Sequence, residues 1–129
     1  MTSMANYVEN KLIDHALGTS AFTMPAVVHL QMHSGAPGED GTANVATDTS
    51  TSADIAFGAS SGGAASNTGA ITIAAVSATQ VITHISLWDG STGSGTDNCL
   101  FTAALAASVS LVSGDDFQIA IGDLDVTFT

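Results

Sequence analysis

Apolar residues recur in two different rhythms along this chain. Over residues 4–17, Val8, Leu12, Ile13, Ala16 and Leu17 fall at helical spacing on one face. Ser3 or Asn6 suits the cap at the start of this helix. Glu9 stands three residues after Asn6, in the capping-box position. Gly18 suits the left-handed residue beyond its end. After Pro25, which stops any helix, the rhythm changes to period two. Val28, Leu30 and Met32 alternate with His29, Gln31 and His33, which reads as a half-buried strand. The same alternation marks Ala53, Ile55 and Phe57, then Ile71 and Ile73, then Val81 to Trp88. Strands are expected again over 105–111 and at Phe117, Ile119 and Ile121. The parity flips before Leu124, Val126 and Phe128, so Gly122 and Asp123 mark a tight turn or a bulge.

Three long stretches, 34–52, 58–69 and 89–98, are rich in Gly, Ala and Ser and read as loops. The pattern predicts a mainly β protein, an antiparallel β-sandwich of about seven strands with one N-terminal α-helix. It is expected to be a single domain over 1–129. Residues 1–18 form a helical docking segment and residues 25–129 form the sandwich.

Charge narrows the function. The 129 residues hold 1 Lys+Arg against 12 Asp+Glu, a formal net charge of -11. A nucleic-acid binder must neutralise phosphates, and an anionic membrane surface must be met with cations, so neither partner is expected. Only 10% of residues are charged, against roughly 25% in ordinary domains. Yet 45% are hydrophobic, which a disordered acidic tail would not show. The surface must therefore be covered by Ser, Thr, Asn, Gly and Ala. Such a surface is readily buried against a neighbour, because little charge has to be desolvated. No stretch of 18 apolar residues and no signal-peptide pattern occurs, so the expected site of synthesis is the host cytoplasm. Cys99 is the single cysteine and reads as a small buried hydrophobe.

No reactive constellation emerges. His29 and His33 share one strand face but stand about 13 Å apart, too far for one metal. Neither a metal nor a cofactor is expected. The acidic residues gather near predicted turns, where Asp caps loops. No phosphate-cradling loop and no G-x-S-x-G elbow occurs. The chain is therefore read as no enzyme, with a hydrolase or sugar-binding module as the competing class. What remains is surface. Tyr7, Lys11 and His15 form an i, i+4, i+8 row beside the apolar stripe of Val8 and Leu12. These five residues, with His29, Gln31, His33 and Trp88, are the expected assembly interface.

The string Asn6-Tyr7-Val8-Glu9-Asn10-Lys11-Leu12-Ile13-Asp14-His15, with Thr19 to Phe22 and Pro25 to Val28 after it, resembles a family of small tailed-bacteriophage virion proteins. Its members are often labelled tail fibre proteins. Thr83 to Asp89, Leu100 to Leu105 and Ser113 to Leu124 continue the resemblance in order. Residues 50–55 and the histidines at 29 and 33 depart from the family pattern. The resemblance implies a non-enzymatic virion part. A fibre shaft needs repeats or coiled coil, and this chain has neither. The expectation is thus a capsid decoration (cement) protein, a homotrimer bridging the major capsid protein on the outer surface of the virion. The alternative is a small tail component, a fibre-tip, baseplate or adaptor knob.

Overall fold

The computed structural model describes residues 2–48, 51–52 and 54–128. Eight strands and one helix follow in the order β1 (Thr2–Met4), α1 (Asn6–Ala16), β2 (His29–His33), β3 (Ala64–Ser66), β4 (Ile71–Ile73), β5 (Gln80–Trp88), β6 (Cys99–Leu111), β7 (Phe117–Ile119) and β8 (Asp125–Thr127). All pairings are antiparallel. The main sheet runs β1-β6-β5-β2, and β3-β8 and β4-β7 form two-stranded sheets. The mainly β architecture with one N-terminal helix is the expected class.

One core joins these pieces. Leu30, Met32, Ile82, Ile85, Leu87 and Leu100 of the main sheet meet Ile71, Ile73 and Phe117 of the β4-β7 pair. Val8 is the buried residue of α1. The helix spans Asn6–Ala16, within the expected stretch, and Gly18 takes the expected positive φ of 74°. The expected caps are not used. Ser3 lies in β1, and the capping position is Ala5, which has no side-chain cap. The reason is tertiary. The Ala5 N–H donates to the Leu100 carbonyl at 3.0 Å, so the helix start is fixed by β6, the strand on which β1 pairs.

Three strand expectations change. Ala53 lies outside the described residues, and 54–57 form no strand. Residues 45–48, 51–52 and 54–55 instead lie along the outer edge of β2, with bridges from Val45 to His33 and Thr51 to Gln31. The Ser52 and Ile55 N–H groups donate to the Leu30 and Val28 carbonyls. β6 starts at Cys99 rather than 105, and most of its second half is exposed on both faces. Its pairing slips there: Ile82 faces Val109 and His84 faces Ala104, so two residues of β5 span five of β6. The parity flip at Gly122 is a turn with φ +80°, closed by the Asp123 N–H on the Ala120 carbonyl. It is no hairpin, because β7 pairs with β4 and β8 with β3.

Most of the turn acids do what their positions suggested. Asp97 Oδ2 accepts from the Thr92 and Gly93 N–H groups at 2.7 and 2.8 Å. Asp89 binds both the N–H and the side-chain amide of Asn98. Asp115 and Asp116 accept from the Val112 and Ala75 N–H groups. Asp97→Ala should therefore loosen the 89–98 loop, at a cost of about 1–2 kcal/mol. Amide exchange at Thr92 and Gly93 checks this; unchanged protection there would mean that Asp97 does not hold the loop.

Candidate interaction surface

The helix row is engaged with its own chain. The Tyr7 ring meets Phe22 edge-on at 6.5 Å between centroids, and Lys11 Nζ sits 5.9 Å over the Tyr7 ring. His15 is exposed, yet its Nδ1 accepts from the Phe22 N–H at 3.2 Å. Tyr7, Lys11 and His15 thus clamp the connection that leaves the helix. Val8 and Leu12 turn the other way, toward the sheets.

Beside them the molecule opens. A cavity of about 370 Å³ lies between α1, the connection at Phe22 and Pro25, and the β3-β8 pair. Its walls include Phe57, Phe101 and Phe128, and Ser60 carries the one polar side chain among the described residues that line it. The sequence signal for this opening was faint. Residues 16–38 contain no Asp, Glu, Lys or Arg, although 18–27 read as connection rather than core.

The four remaining candidates sit elsewhere, and the expectation of a polar outer face on β2 needs correction. All five residues of β2 are buried. The edge residues 45–48, 51–52 and 54–55 and the 89–98 loop cover that face. His29 Nε2 pairs with Asp54 Oδ1 at 3.1 Å, while its Nδ1 is buried without a partner among the described residues. Gln31 accepts from the Ser94 N–H at 3.2 Å. His33 is fully buried and binds the Ala43 carbonyl through Nδ1 at 2.9 Å and Ser86 Oγ through Nε2 at 2.7 Å. Trp88, 1% exposed, donates its Nε1–H to the same Ser86 Oγ at 2.7 Å. These residues are interior in the isolated chain.

The proton positions in this network follow from its partners. A carbonyl only accepts, so His33 Nδ1 carries the hydrogen. Nε2 then accepts from the Ser86 hydroxyl, whose oxygen receives the indole N–H. Every group is satisfied with His33 neutral. Burial is the main force pushing the His33 pKa below its usual 6.5; His84 lowers it further, while the Ala43 carbonyl works against both. A depressed histidine stabilises the fold above the unfolded-state pKa. Stability should therefore fall as pH drops below about 6.5, by up to about 1.4 kcal/mol per pH unit for this proton, until the lower folded-state value is reached. Urea unfolding at a series of pH values checks this, and His33→Gln should flatten the trend. An unchanged slope in that variant would assign the effect to other groups.

Cys99 is equally unsuited to reactivity. Burial first, then the Asp40 carboxylate, pushes its thiol up to about 12. Among the described residues no group of three or more metal-ligating side chains comes together. What the arrangement offers is an apolar concavity on a sheet scaffold whose loops are tied down by acids.

The comparison with protein families decides what kind of part this is. The model of the podophage GP4 fiber I protein gp80 matches residues 3–127. The chain belongs to this family. The search of curated proteins finds no match. The fiber I family is a structural family of phage tail fibres, so the resemblance read from residues 6–15 and beyond holds. The chain is a phage virion structural protein of the tail fibre. That match supports the tail alternative better than the capsid cement reading, and no catalytic family is indicated.

Proposed function

We propose that this fiber I family member acts as a compact knob or adaptor of the tail fibre, on the outside of the particle. The observation that carries this reading is the match over residues 3–127 to a fibre family, taken together with the short elements of the described residues. The one helix among the described residues has 11 residues, about 17 Å of rod. Its sequence shows no repeat to extend. Two-stranded pieces stacked on a four-stranded sheet make a module that is joined to neighbours, not a fibre by itself. The long loops carry few charges and are held by side-chain carboxylates, which suits fixed contacts to other virion proteins.

The test is copy number in purified particles, by quantitative mass spectrometry against the major shell protein. A few to a few tens of copies, lost when tails are removed, is the expected result. A ratio near that of the shell protein would restore the cement reading and its capsid partner. Absence from particles would remove both.

A further inference from the structure

The outer edge of β6 is longer than its cover. β1 lies beside it from Phe101, opposite Met4, to Ala103, opposite Thr2. β6 continues to Leu111, and among the described residues no strand stands on that side beyond Ala103. Ala104 and residues 106–110 are exposed. The slip against β5 also leaves 105–108 without a register partner on the inner side. Such an edge offers unpaired N–H and C=O groups at the spacing of a further strand. Natural edges are commonly guarded by a charged side chain or a proline. Residues 99–113 contain neither. Alanine at 104, 106 and 107 leaves room for a second backbone to come close.

A groove of about 550 Å³ opens where the cover ends. One wall is β6 at Ala104, Leu105 and Ala106; the other, at the end of the connection from β7 to β8, carries Asp123 and Asp125. Both acids are exposed, and Asp125 also accepts from the Ser66 hydroxyl. β1 touches β8, so a strand laid on β6 in line with β1 runs past these carboxylates. The occupant follows from the two walls. The backbone edge takes an extended polypeptide. The carboxylates, with no basic side chain among the described residues lining the groove, take cations. A second copy of this chain is poorly equipped to bring them: its one strong cation, Lys11, lies over its own Tyr7 ring. We propose that the β6 edge beyond β1 receives an extended segment of a different protein, bearing lysine or arginine, which joins the main sheet as an added strand. This proposal does not rest on which part of the virion the protein occupies.

The probe is a labelled, end-blocked peptide of alternating lysine and threonine, titrated with the full chain and followed by fluorescence anisotropy. Saturable binding is expected, with NMR amide shifts centred on residues 104–110. A peptide with the same lysines but proline in place of threonine keeps the charge and cannot pair as a strand, so it should bind about tenfold more weakly or not at all. A peptide of alternating glutamate and threonine keeps the strand and reverses the charge, and should bind about tenfold more weakly as well. Ala106→Lys sets a cation on the edge and should weaken the lysine peptide about tenfold. Asp123→Asn should weaken it about fivefold. Both positions are exposed, so the thermal midpoint should hold in each variant. Asp14→Asn, which removes an acid on α1, should leave binding unaltered. No binding, equal binding of the proline peptide, or indifference to both Ala106→Lys and Asp123→Asn overturns the proposal. A self-associated chain whose 104–110 amides are protected from exchange also overturns it and gives the edge to a second copy.

Discussion

Asn67→Ala is expected to destabilise the fold by about 4 kcal/mol, because one side chain fixes the crossing between two sheets. Asn67 is 2% exposed. Its Oδ1 accepts from the Gly122 and Leu124 N–H groups, both at 3.0 Å. Its Nδ2 donates to the Gly69 and Ala120 carbonyls at 2.8 and 2.9 Å. The turn at 121–122, which carries the chain from β7 to β8, is therefore anchored from the loop that follows β3. Alanine removes all four side-chain bonds and leaves the Leu124 N–H facing a void, while the Gly122 N–H keeps the Asn67 backbone carbonyl. Asn67→Asp keeps both acceptors, loses the donor pair and places a charge in a buried site. It should also destabilise, through the Gly69 and Ala120 carbonyls rather than the turn amides. Chemical denaturation measures the loss. A cost below about 1 kcal/mol for the alanine variant would mean that water replaces the amide and that the crossing holds itself.

Gly41→Ala should cost about 3 kcal/mol, through two separable effects. Gly41 has φ +69°, in the left-handed region that a Cβ disfavours. A Cβ there would also stand 2.6 Å from Cys99 Sγ and 2.9 Å from Trp88 Cζ2. The 34–48 segment packs at this point directly on the end of β5 and the start of β6. Because the sulfur makes the closest clash, Cys99→Ala in the same chain should recover part of the loss. The part due to φ and to Trp88 should remain. A double-mutant cycle by urea unfolding reads this coupling. Strictly additive effects would show that the segment shifts away and that Gly41 matters for its backbone alone.

Both positions show why some of this protein was legible early and some was not. The helix at 6–16, the alternation in β2, β4, β5 and β7 and the turn at Gly122 follow from local chemistry, although of the expected helix stripe only Val8 is buried and Ile13, Ala16 and Leu17 stay exposed. A face that must be buried writes its period into the chain. The acids at 89, 97, 115 and 116 likewise act on backbone within their own turns or on a packed neighbouring loop. Asn67 and Ser86 carry no such mark. Each is an ordinary polar residue until distant segments bring it its partners: Gly122 and Leu124 for one, His33 and Trp88 for the other. The polar side of β2 misled for the same reason. Alternation reports which residues prefer water, but it does not report that Val45, Thr51, Asp54 and the 89–98 loop will cover them and satisfy them internally.

Periodicity and composition already carry the class of the fold, mainly β with one short N-terminal helix. The strong acidity and the resemblance to phage fibre proteins stand in the sequence too, since all three rest on period, composition or a contiguous string. Folding alone brings His29, Gln31, His33 and Trp88 inside, makes the helix row clamp its own connection, and sets Phe22, Phe57 and Phe128 around one apolar opening. Those facts depend on contacts between residues tens of positions apart, and a pattern with a range of a few residues holds no record of them.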